Sequence, residues 1–73
     1  MRESRKQYPP HTRQEVGCKV SWLTFETRKL AEEAAVVARH NAEIDWSLGY
    51  DFGYLCPGDI TENDDGTFTV VTP

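Results

Sequence analysis

The sequence predicts an α+β fold, one helix packed on a small antiparallel sheet in strand-helix-strand-strand order. Three patterns carry this expectation. Apolar residues alternate from Val16 to Phe25, an alanine-rich stretch from Thr27 to Ala42 repeats at helical spacing, and two β-prone runs flank Asn63, Asp64, Asp65 and Gly66. A single helix and a few short strands bury their apolar faces most economically by packing the helix across one face of the sheet.

Taken in order, residues 1–15 hold almost nothing that belongs in a core apart from Tyr8. Pro9 and Pro10 stiffen the chain after it into an extended path. The segment therefore reads as a flexible arm, with a single folded domain over residues 16–73. In the first strand, Val16, Cys18, Val20 and Trp22 fall on one face at a period of two and read as the core-facing set. Trp22 is expected to be a main support of the core, and Cys18 and Cys56 read as small buried residues.

The helix is expected over 27–42, with Thr24 or Thr27 as the N-terminal cap. Leu30, Ala31, Ala34, Ala38 and Ala42 share a side, and small side chains there allow close approach to a sheet. Ile44 to Gly49 fits either a loop or one more helical turn. Beyond it, Phe52 to Cys56 reads as a short strand, and Pro57-Gly58 as a type II turn. Asp59–Glu62 and Thr67–Val71 form the closing hairpin, with Phe68 and Val70 facing one way.

Charge divides along the same boundary. In residues 1–15 four basic residues oppose two acidic ones, giving +2; in residues 16–73 four oppose ten, giving −6; together they make the net −4 of the 73-residue chain. An acidic body with a cationic arm is a layout for binding something large. It is a weak one for duplex nucleic acid, because the body repels phosphate. No apolar run reaches the roughly 20 residues of a membrane span, and no apolar stretch follows the first residues as in a signal peptide. The expectation is a cytoplasmic product with reduced thiols.

The chemistry-bearing residues lack the spacing that catalysis or metal binding requires. His11, His40, Cys18 and Cys56 form no ligand pair. A calcium-loop register starting at Thr61 would place Thr72 where a bidentate glutamate is needed. Cys18 at a core-facing strand position and Cys56 beside a tight turn do not read as activated nucleophiles, and Glu32-Glu33 and Asp64-Asp65 read as solvated carboxylates. Phosphate-binding glycine motifs are absent. The chain thus reads as a binding protein, not an enzyme, with no cofactor. Trp46 and Phe52 read as core, with a partner surface as the alternative. Tyr50 and Tyr54 fit either the core or a partner surface, and glycines beside them open the backbone to a partner.

Three stretches carry a resemblance: Met1 to Pro10, Trp22 to Thr27, and Leu48 to Tyr54. Through them the chain resembles, over its full length, the small RNA-polymerase-binding transcription regulators of lytic Xanthomonas bacteriophages. That resemblance implies a monomer acting in the cytoplasm of an infected bacterium. It would bind the N-terminal region of the host polymerase β′ subunit, inhibit initiation by displacing σ, and promote antitermination. The partner-binding candidates are then Arg2, Glu3, Ser4, Arg5, Lys6 and Tyr8 in the arm, with Tyr50 and Tyr54 beside it. Nearby nucleic acid is a second contact for the arm. Two other readings stand beside this one. An acidic DNA-mimic decoy against a host nuclease would use the acidic body. A single-stranded nucleic-acid-binding module would use Tyr50, Phe52 and Tyr54 as stacking platforms.

Overall fold

A computed structural model describes residues 5–50, 52–53 and 55–73. They form β1 (Arg13–Val16), β2 (Ser21–Phe25), α1 (Arg28–Ser47), β3 (Ile60–Glu62) and β4 (Phe68–Thr72). The four strands make one antiparallel sheet in the order β1-β2-β4-β3. β3 therefore runs parallel to β2 with β4 between them, and α1 is the crossover that joins the two. The expected α+β class, with one helix on an antiparallel sheet, is the observed one.

The single strand expected over 16–25 is instead a hairpin. The Gly17 N–H donates to the Val20 carbonyl at 2.8 Å, closing a tight turn between β1 and β2. Glycine suits the turn because a Cβ there would lie 2.7 Å from a ring carbon of Trp22. Val16, Cys18, Val20 and Trp22 keep a period of two straight through this turn, so the alternation conceals it. The turn also undoes the expected facing of Val16, Cys18 and Trp22, because a one-residue change of phase exchanges the two faces, whereas Val20 is buried as expected. Leu23 lies opposite Val70 and Phe25 opposite Phe68, and directly opposed residues share a face. That face meets the helix, and Leu23, Phe25 and Val70 are buried there. Trp22, opposite Glu15 and Val71, is half-buried on the far face. Cys18 and Cys56 are both exposed, not core.

Thr27 caps α1: its backbone is extended (φ −127°, ψ 154°) and its hydroxyl accepts from Leu30 N–H at 3.2 Å. The helix runs five residues past the expected end at Ala42, taking in Ile44 to Ser47. It stops in a Schellman arrangement. Gly49 N–H reaches Trp46 O at 3.0 Å and Tyr50 N–H reaches Asp45 O at 3.1 Å, with Gly49 at φ +96°. Ala31, Ala34 and Ala35 are buried against Leu23, Phe25 and Val70, Ala38 is buried further along the helix, and Tyr8, Leu30, Ile60 and Phe68 close the margin.

The described part of 52–56 is turn and irregular backbone, not the expected strand. Pro57-Gly58 makes the expected turn, with Asp59 N–H donating to Cys56 O at 3.1 Å. In the last hairpin Asn63 N–H donates to Thr67 O at 2.8 Å, and the Asp65 carboxylate accepts from the Thr67 N–H at 3.0 Å and its hydroxyl at 2.6 Å. These bonds favour the ionised carboxylate and hold Asp65 below its ordinary pKa.

Residues 5–15 are not a free arm. The boundary expected between 15 and 16 cuts β1, all four residues of which pair with β2. Upstream, Thr12 N–H donates to Thr24 O at 2.8 Å, and Tyr8 packs on the core margin.

Candidate functional site

The stripe that α1 buries changes character along its length. Ala31, Ala34, Ala35 and Ala38 are followed at the same spacing by Asn41 and Asp45, which are 1% and 5% exposed. Alanine needs only contact; a buried amide or carboxylate needs hydrogen-bond partners or destabilises the fold. Among the described residues the N-terminal segment supplies them. Asn41 Oδ1 accepts from the Lys6 main-chain N–H at 2.9 Å. Its Nδ2 donates to Lys6 O at 3.1 Å and to the Tyr8 hydroxyl at 3.2 Å. Arg5 forms an ion pair with Asp45, from a half-exposed guanidinium to a carboxylate that is almost fully buried. Burial, and secondarily the Asp45 charge, raise the Tyr8 pKa, while the Asn41 bond and Arg5 oppose the shift.

Residues 5–8 are thus a strap laid along the C-terminal half of α1. Of the residues expected to bind a partner, Arg5 and Tyr8 are engaged with the chain's own helix, and Lys6 is held by its main chain with its side chain exposed. Arg2, Glu3, Ser4 and Tyr54 lie outside the described residues. Tyr50 is 62% exposed, and the Schellman bond to Asp45 fixes its backbone. The structure brings Arg5 and Tyr50 to one cleft of about 510 Å³, walled also by Lys19, Asp45, Phe52 and Pro73.

Next to it, Trp46 is 72% and Leu48 69% exposed. Trp46 is therefore not the core residue that the sequence suggested. Once α1 continues to Ser47, the buried stripe passes through Asn41 and Asp45, and residue 46 falls about 100° away from it. Phe52 is half-buried and stands between this cleft and a second one of about 440 Å³, lined by Ala42, Glu43, Trp46, Ser47 and Phe52. Trp46, Leu48 and Tyr50 make a run of exposed apolar surface where the helix ends. An exposed patch of large apolar and aromatic groups is the chemistry of a docking surface.

Sequence reasoning missed Asn41 and Asp45 as the seats of the strap, and Leu48 and Glu43 as surface; for Trp46 it favoured the core over the surface that it occupies. The signal for the first pair was present: 34, 38, 41 and 45 continue one helical stripe, and its polar members required partners. Among the described residues no group of three or more His, Cys, Asp and Glu side chains is placed to hold a metal, and no helix is long and apolar enough to cross a membrane. No family model, curated protein or solved structure matches the chain.

Proposed function

We propose that the chain is a non-catalytic protein-binding module whose docking surface is the aromatic end of α1 together with the strap beside it. The carrying observation is the exposure of Trp46, Leu48 and Tyr50 in succession, next to a cleft edged by Arg5 and Lys19. Aromatic anchors with a charged rim match the composition of interface hot spots. Glu43 and Asp45 border the same surface, which favours a protein partner over a phosphate backbone.

The resemblance to polymerase-binding phage regulators gives that partner a class. We propose bacterial RNA polymerase, contacted through the N-terminal region of β′ in the host cytoplasm. The consequences are inhibited initiation through σ displacement and passage of terminators during elongation. An exposed aromatic end and a cationic strap can occupy a protein groove while residues at the strap's root lie near nucleic acid. The test is gel filtration of the full-length chain with purified Xanthomonas core polymerase, followed by crosslinking and mass identification. Co-elution with crosslinks from residues 5–8 or 46–50 to β′ is the expected result. Absence of co-elution at micromolar concentrations overturns the polymerase assignment.

A further inference from the structure

The cleft of about 440 Å³ at the helix end combines two aromatic rings, Trp46 and Phe52, with one carboxylate, Glu43. Glu43 and Trp46 are three residues apart on α1 and so lie on one face. The Ser47 hydroxyl donates to the Glu43 main-chain oxygen at 2.9 Å, leaving the carboxylate itself unengaged by that bond. The natural intrahelical partner for Glu43 is Arg39, four residues earlier. Arg39 is turned elsewhere: its guanidinium donates to Gly58 O at 3.5 Å, and its stem lies so close over Gly58 that a Cβ there would be 2.8 Å from Arg39 Cγ. The ion pairs among the described residues are Arg5 with Asp45 and Arg28 with Glu62, and neither involves Glu43. A carboxylate with no ion pair among the described residues, beside an exposed indole, is a site for a cation, which the ring faces attract and the carboxylate binds.

We infer that this cleft receives an arginine side chain of the partner protein. Arginine fits better than lysine because its flat guanidinium can stack on Trp46 while its N–H fork meets Glu43. The excess of ten acidic over four basic residues in 16–73 adds a favourable field for a cationic group. This inference rests on the protein-binding reading and gives it a recognition element.

The test is NMR titration of the full-length ¹⁵N-labelled chain with a capped peptide of alternating glycine and arginine. Saturable shifts of the Trp46 indole and Ser47 amide signals are expected, with much weaker response to the neutral citrulline counterpart. Glu43→Gln should weaken binding about tenfold. Trp46→Ala, read at Ser47, should weaken it several-fold. Both positions are exposed, and amide dispersion checks that the variants stay folded. Equal response to the citrulline peptide, or undiminished binding by Glu43→Gln, overturns the inference. The two readings fail separately. Polymerase capture without arginine-peptide binding removes the cleft's role and leaves the polymerase assignment, whereas peptide binding without capture does the reverse.

Discussion

Asn41 holds the main chain of Lys6 by both its polar groups, accepting from the N–H at 2.9 Å and donating to the carbonyl at 3.1 Å. One buried side chain on the helix thereby does for the strap what a neighbouring strand would do. The same amide reaches the Tyr8 hydroxyl, so one residue sets both the path of the backbone and the seat of the ring.

Replacing Asn41 by alanine should therefore loosen the strap and not merely trim the helix. The Lys6 main-chain groups regain water, so the loss is set by the missing bonds and the unfilled volume. About 1–3 kcal/mol is expected. Urea unfolding gives the size, and amide exchange should show protection lost at Lys6 before it is lost in β2 and β4. Unchanged protection at Lys6 would mean that Asn41 does not hold it.

Tyr8 makes stability depend on alkaline pH. Its folded-state pKa is raised, chiefly by burial, above the ordinary value of about 10. The unfolded chain therefore releases this proton first. The contribution of the neutral phenol is fully present below about pH 10 and is lost as pH rises through the folded value. Tyr8→Phe should be less stable than wild type at pH 8, by about 1 kcal/mol for the lost bond. The gap should narrow above pH 10. Parallel stability curves would contradict this.

Phe25, not Trp22, is the ring that the core depends on. Phe25 is fully buried against the alanine face, while Trp22 is half-buried over Gly17 on the far face of the sheet. Phe25→Ala is expected to cost about 3–5 kcal/mol, most of the margin of a domain this small. Trp22→Ala should cost visibly less and stay folded. Thermal melts of the two variants in the reverse order would refute the placement of the core.

Gly58 and Gly49 test packing against conformation. Both have positive φ, +98° and +96°, but a Cβ at Gly58 would meet Arg39 and the Ala35 carbonyl, whereas nothing lies within 4 Å at Gly49. Alanine at 49 should cost only the left-handed backbone penalty, about 1–2 kcal/mol. Alanine at 58 should cost more, and melting curves that show equal losses would contradict the difference.

Thr27 with its alanine stripe, the Pro57-Gly58 turn and the Asn63–Gly66 loop were legible because local chemistry alone specifies them. The β1–β2 hairpin was not, since Gly17 was its only turn signal and apolar alternation ran on through it. That error inverted the facing of Trp22 and Leu23. The docked strap was half legible. Asn41 and Asp45 announced a polar seat, but their occupant, some 35 to 40 residues upstream, follows only from the tertiary path. The docked strap also matters for truncation. Deleting residues 1–15 removes most of β1, the partners of Asn41 and Asp45, and Tyr8, so the remainder should be destabilised and not left intact.

The proposed docking surface is tested most directly by transcription in vitro with Xanthomonas polymerase. The inhibitory concentration of the full-length chain would be compared with that of Trp46→Ala/Tyr50→Ala, and with Val36→Ala as a control at an exposed apolar site elsewhere on the helix. All three should be equally folded, because the altered side chains are exposed. The double variant is expected to need at least about tenfold more protein for the same inhibition, with the control unchanged. If the double variant inhibits as well as wild type, the aromatic end of α1 is not the docking surface.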